Sequence, residues 1–148
     1  GYLDAGAGTQ RVNLDARNDK KSIVLREMQD VLEWWTQQGL VHTSTYGIRI
    51  YGRDAVLLNH VDRHDTHVAS AVLQVGQEIS EAGAGWPLEI ISKERDCLEV
   101  YLQPGQMVLY EGAHFKHGRP MRFRGDKFAN IFSHFKPKEY SGITRTDL

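Results

Sequence analysis

A lone cysteine, Cys97, leaves this 148-residue chain without an intramolecular disulfide framework and without a multi-cysteine zinc finger. No stretch comes near the ~18 consecutive apolar residues of a membrane-spanning helix. The chain opens at Gly1 with neither the charged n-region nor the apolar h-region of a signal peptide. Excess charge is missing too: 18 Lys and Arg against 19 Asp and Glu give a net charge of -1, so no global field favours a nucleic-acid or membrane partner. Internal repeats and low-complexity tracts are absent. What remains is the composition of a soluble globular protein, 41% apolar and 25% charged, in a length that holds one domain, residues 1–148. No compartment is written in these residues. Binding has to come from a local site, and the skew to follow is seven histidines against one cysteine.

The first twenty residues mix Gly, Asn, Asp and Arg without a period and predict an irregular arm over 1–20. A supporting helix is expected over about 22–38. Val24, Met28, Val31 and Trp35, joined by Leu25 and Leu32, share one face; Asp19 or Ser22 serves as N-cap and Gly39 as the stop. From Thr43 the period becomes two, predicting strands near 45–51, 55–62, 67–75, 87–92, 97–102, 106–111 and 127–135. One helix followed by many short strands implies a mainly β fold, an antiparallel sandwich or jelly roll with a core over about 43–137. The piece Gly83 to Gly85 lacks the strand-to-helix context of a phosphate loop.

The chemistry concentrates in Asn59-His60-Val61-Asp62-Arg63-His64-Asp65-Thr66-His67 and in Glu111-Gly112-Ala113-His114-Phe115-Lys116-His117-Gly118-Arg119-Pro120. On an extended 55–62, His60 and Asp62 project from one face. Two histidines and one carboxylate on one face of a metal leave positions open, as in non-haem Fe(II) oxygenases. Lys127 stands ten residues after His117, and Tyr51 nine before His60. An ammonium and a phenol suit the far carboxylate of a dicarboxylic cosubstrate. Blander readings stand beside these: polar residues on a surface strand, a solvated strand end for Lys127, a core aromatic for Tyr51, and a zinc set of His60, His64 and His67. His114 and Arg124 repeat the ten-residue spacing of His117 and Lys127.

With these pieces in order, the chain resembles the prolyl 4-hydroxylase-like branch of the 2-oxoglutarate- and Fe(II)-dependent dioxygenases. The resemblance runs from about Tyr46 to Pro137 and rests on IRIYGRDAVLLNHVDRH, THVASAVLQV, PGQMVLYEG, HGRP and RGDKFANIFSHF. It implies a double-stranded β-helix (jelly roll), with His60, Asp62 and His117 binding Fe(II) and Tyr51 with Lys127 holding the 2-oxoglutarate C5 carboxylate. Ascorbate is a further implied cofactor, and a peptide, protein or small molecule the implied substrate, with peptidyl proline first. Lys127 is preferred over Arg124 because Gly125-Asp126-Lys127-Phe128 sets it at a strand start, pointing into the barrel with Ala129 and Ile131. Asn59 and Asn130 are candidates to orient the imidazoles. Arg119, Arg122 and Arg124 read as a solvated loop, with Arg119 bordering the substrate cleft, and Trp34, Trp35 and Trp86 as packing residues. The sequence departs from the family where EAGAGWPLEIIS replaces a Gly-Gly-x-Thr-x-Phe segment, and the family has more sheet and helix before the Tyr strand. Two other classes follow: a non-catalytic jelly-roll interaction module, and a cupin-like metal enzyme that does not use 2-oxoglutarate.

Overall fold

The computed structural model describes residues 9–79 and 85–142; the first eight residues of the predicted arm and most of the EAGAG segment lie outside it. A short strand, β1 (Gln10–Arg11), and a 3-10 turn (Leu14–Arg17) precede helix α1 (Asn18–Thr36), so the described part of the arm is more ordered than the sequence predicts. The strands that follow are β2 (Leu40–Gly52), β3 (Leu57–His60), β4 (Ala69–Glu78), β5 (Leu88–Ile91), β6 (Cys97–Val100), β7 (Met107–Tyr110), β8 (Lys116–Arg119) and β9 (Lys127–Pro137). They form two antiparallel sheets, β1-β2-β9-β4-β7 and β3-β8-β5-β6. Successive strands alternate between the sheets from β2 to β5 and again from β6 to β9, which is the jelly-roll double-stranded β-helix.

Two apolar clusters hold these layers. Between the sheets, Tyr51, Val72, Trp86, Leu88, Tyr110, Phe123, Phe128 and Phe132 fill the barrel. On the outer face of the larger sheet, Met28 and Leu32 of α1 pack against Leu40, Ala69, Ala71, Ile131 and Phe135. Even-numbered residues of β9 from Phe128 therefore face the barrel and odd-numbered ones the helix, as strand alternation requires. In β2 the alternation breaks at a register shift between Tyr46 and Arg49, and both side chains reach the same cavity although they are three residues apart.

The predicted helix exists but begins and ends earlier. Neither Asp19 nor Ser22 caps it, because the 3-10 turn feeds straight into α1 and Arg17 takes the cap position with no side-chain cap bond. The left-handed turn that ends it falls on Gln37, not Gly39. Its buried line is Met28 and Leu32, with Val24 half-buried; Val31, Trp34 and Trp35 are exposed, so only Trp86 of the three tryptophans is a core residue. The sheet covers a narrower stripe than the apolar residues offer. Glu33 and Gln29 complete the contact: the Glu33 carboxylate accepts from the Leu40 N–H at 2.7 Å and Gln29 Nε2 donates to the Leu40 carbonyl at 3.1 Å. Strand β8 was not predicted, since four residues reading Lys-His-Gly-Arg have no apolar alternation; its basic Arg119, expected in a solvated loop, is buried. Among the described residues no helix is long and apolar enough to cross a membrane.

Leu32→Ala should cost about 2–5 kcal/mol of unfolding free energy, the range for a buried leucine truncated in a packed core. Trp34→Ala, at a side chain 72% exposed, should stay within about 0.5 kcal/mol. Urea unfolding of both variants checks this division of the helix into a packed and a solvated face.

Candidate metal centre

Strands β3 and β8 pair antiparallel with His60 directly opposite His117. That register sets two imidazoles side by side, their ring centroids 4.7 Å apart, although 57 positions separate them in the chain. Asp62 lies beyond the end of β3, not on an extended 55–62 as the sequence suggested. A backbone bond from its N–H to the Gly112 carbonyl, 2.9 Å, holds it there. Its carboxylate oxygens lie 3.5 Å from His60 Nε2 and 3.4 Å from His117 Nε2. Close approach is possible because residue 112 is glycine: a Cβ there would stand 2.3 Å from Asp62 Oδ2 and 2.9 Å from Ser70 Oγ.

The outward nitrogens of the two rings are tied down identically. His60 Nδ1 lies 2.7 Å from the Leu58 carbonyl and His117 Nδ1 2.9 Å from the Phe115 carbonyl. A carbonyl only accepts, so Nδ1 carries a proton and Nε2, the ligand atom of the neutral ring, turns inward toward Asp62. Two ring nitrogens and a carboxylate oxygen then face one another, all within 4.8 Å. Asp62 Oδ2 is buried and accepts no hydrogen bond. Burial tends to raise the Asp62 carboxyl, but the His117 and His60 imidazoles outweigh it and hold it well below the usual carboxylate range. For His60, burial opposes protonation while the Asp62 partner and the Leu58 carbonyl lift it above the ordinary imidazole value. Three inward acceptors of N, N and O type fit a divalent transition metal, and backbone carbonyls supply the orienting contacts.

The cavity at this centre is lined by Tyr46, Arg49, Leu57, Leu88, Tyr110 and Phe132 as well as the triad, with Arg63 at the rim. Two more histidines line it, His67 and His134, stacked at 3.8 Å. Burial lowers both, His134 to about 3, so this pair is neutral at ordinary pH. His134 Nδ1 meets Ser70 Oγ at 2.8 Å. The zinc set of His60, His64 and His67 is not assembled: residues 64–66 form a turn, His64 is exposed, and among the described residues the one group of metal-binding geometry is His60, Asp62 and His117. His114 sits on the turn before β8, its Nδ1 4.0 Å from Glu111, and does not line the cavity.

Three other expectations need correcting, those for Lys127, for the Asn59 and Asn130 pair and for Arg119. Lys127 does not point into the barrel. It is on the outer face, its side chain 62% exposed, opposite Glu78 in register and 3.4 Å from its carboxylate. The barrel-facing set of β9 is Phe128, Asn130, Phe132 and His134, one residue away from the set that Lys127, Ala129 and Ile131 define, and a one-residue slip turns every side chain over. Asn59 bonds Glu89 and Asn130 bonds Gln74, so neither orients an imidazole. Tyr51 is inside, fully buried against Trp86 with ring centroids 5.1 Å apart, and its hydroxyl accepts from Arg49 Nη1 at 3.5 Å. Arg119 borders no open cleft; it is 1% exposed, its guanidinium 5.1 Å from the Trp86 ring and 4.8 Å from that of Phe128. The even-residue alternation of β9 was the available signal for His134; Arg49 and Tyr46 depend on a bulge, and the sequence carried no signal for it.

No protein-family model matches the sequence, and no curated protein matches it. Solved structures do. A Pseudomonas putida prolyl-4-hydroxylase superposes with a TM-score of 0.67 at 17% identity, covering 92% of this chain and 78% of that one. A prolyl hydroxylase from Trichoplax adhaerens, solved with a hypoxia-inducible-factor oxygen-degradation-domain peptide, gives 0.61 at 14%, covering 88% and 63%. A 2OG-Fe(II) oxygenase-family oxidoreductase from Burkholderia pseudomallei gives 0.58 at 14%, covering 73% and 49%. The chain thus spans about half to two thirds of the last two. The fold is that of the prolyl 4-hydroxylase-like 2-oxoglutarate oxygenases.

Gly112→Ala should displace Asp62 and weaken Mn(II) binding by about 10–100-fold, the cost of disturbing a group that positions a ligand. Gly76→Ala, where a Cβ meets nothing within 4 Å, should leave it unchanged. Metal titration of both variants followed by calorimetry makes the comparison.

Proposed function

We propose that this protein is an Fe(II)- and 2-oxoglutarate-dependent dioxygenase that hydroxylates a C–H bond, with a prolyl residue of a peptide or protein as its substrate. The observation that carries the reading is the inward triad: two imidazoles whose Nε2 atoms face one buried carboxylate, of which one oxygen accepts no hydrogen bond, inside a jelly roll like those of prolyl hydroxylases. His60, Asp62 and His117 hold the metal from one side, which leaves its cavity side open to small ligands. Bound iron together with 2-oxoglutarate and dioxygen supplies the oxidising power for C–H hydroxylation, with 2-oxoglutarate released as succinate and carbon dioxide.

The chain's own residues do the rest. Leu58 and Phe115 carbonyls hold the imidazoles in the metal-binding tautomer. Tyr46, Leu57, Leu88 and Phe132 wall the cavity with apolar surface that excludes water from the reacting carbon. Arg49 gives the cavity positive charge toward a dianionic cosubstrate, and Asp62 is the lining carboxylate it has to balance. A peptide substrate is supported by the Trichoplax adhaerens neighbour, which was solved with one bound.

Purified protein reconstituted with Fe(II) should release succinate from 2-oxoglutarate. His60→Ala and Asp62→Ala should each lower both metal occupancy and succinate release by at least about two orders of magnitude, since each removes a deprotonated ligand. Metal content and succinate are measured on the same samples. Metal bound without any use of 2-oxoglutarate would replace this reading with a cupin-like enzyme, and failure to bind metal would replace it with an interaction module.

A further inference from the structure

An ionised side chain inside a protein core is met by an opposite charge or by a full set of hydrogen bonds, because its desolvation costs several kcal/mol. Arg119 has neither. Its residue is 1% exposed and no carboxylate pairs with it among the described residues. One nitrogen, Nη1, donates to the Trp86 carbonyl, while Nε and Nη2 are buried without an acceptor. Its remaining surroundings are the Trp86 and Phe128 rings and the phenols of Tyr51 and Tyr110. An arginine guanidinium keeps its charge in a protein, so its burial leaves a cation inside the barrel.

The place of this orphaned fork is informative. Arg119 follows His117 by two residues on β8, so the two side chains share the barrel face, about 6.6 Å apart along the strand. That offset is comparable to the length of a five-carbon dicarboxylic acid held at the metal by one end. Tyr110 connects the two positions, its ring 4.6 Å from that of His117. Leu57, opposite Arg119 in register, lines the cavity, as does Tyr110. Arg49 is the nearest rival, but it is half-buried and water can reach it; Arg119 is buried, and its Nε and Nη2 have no acceptor among the described residues. Lys127 is satisfied by Glu78 on the opposite face.

We infer that Arg119, with the Tyr51 hydroxyl beside it, binds the far carboxylate of the 2-oxo acid cosubstrate, and that Lys127 has no part in it. The inference rests on the proposed oxygenase reading. A planar two-pronged donor suits a carboxylate, and the aromatic walls favour the flat cation over a hydrated ammonium.

The test uses ligand truncation in the full chain loaded with Mn(II), which avoids turnover. 2-Oxoglutarate is compared with 2-oxopentanoate, which keeps the chelating end and the chain length and lacks the far carboxylate. Quenching of tryptophan fluorescence reports binding beside Trp86. The unsubstituted protein should prefer 2-oxoglutarate by about 10–100-fold, the range for a charge-assisted pair in a buried site. Arg119→Met should reduce that preference to near unity, with Mn(II) affinity and 2-oxopentanoate binding changed by less than about 3-fold, as expected when one distant contact is removed. Lys127→Ala should keep the full preference. Arg119→Met replaces an unpaired buried cation by an apolar chain of similar length and should fold; Arg119→Lys, with an intermediate preference, provides the measurement if it does not. A preference that survives in Arg119→Met, or that vanishes in Lys127→Ala, overturns the assignment while leaving the oxygenase reading intact. Mn(II) binding without any 2-oxoglutarate binding by the unsubstituted protein overturns both.

Discussion

The pairing of β3 with β8 is the constraint on which the rest of the site depends. It sets His60 opposite His117 and fixes where Asp62 must enter, since the chain leaves β3 only two residues before it. The strands approach so closely that position 118 admits no side chain: a Cβ on Gly118 would lie 2.7 Å from the Leu57 carbonyl oxygen. Antiparallel pairs bring the Cβ atoms of facing residues to about 5 Å, from which two imidazoles can turn their Nε2 atoms toward one point. The barrel thus holds three potential ligand atoms together, and the Asp62 oxygen that accepts no hydrogen bond fits a cation among them.

A second tension lies deeper in the same barrel. Aromatic packing against Trp86 and Phe128 partly compensates a buried guanidinium, by about 2 kcal/mol for a desolvated cation–π contact, against a desolvation cost of several. Stability alone would favour a leucine or methionine there. The triad lines the cavity, and the guanidinium lies outside that lining, beside Tyr110, which belongs to it. The helix layer on the other side of the large sheet contributes no cavity residue; Met28 and Leu32 keep β4 and β9 in place and so hold Ser70 and His134 at the rim of the triad.

Much of this was legible from residue order. The change from a three-and-four period to a period of two divided the helix from the barrel, and most strands lie within a few residues of their predicted places. His60, Asp62 and His117 could be singled out because ligand type and spacing are local properties of the chain. What failed did so for identifiable reasons. β8 is too short and too polar to show alternation, Trp35 belongs to a helix face wider than the sheet beneath it, and the bulge that brings Tyr46 and Arg49 together leaves no pattern in the residues.

Lys127 and Arg119 show the division most clearly. The sequence by itself determined that β9 is a strand, that a basic residue opens it ten places after a histidine, and that another basic residue follows that histidine by two. Which of the two enters the barrel was decided by tertiary structure alone. A strand's two faces differ by one residue of register, and the register of β9 is set by pairing with β2 and β4, where Glu78 opposite Lys127 and the apolar demand for Phe128 inside both favour the same choice. The residue types are properties of the chain, whereas the face each one occupies is a property of its neighbours in the sheet.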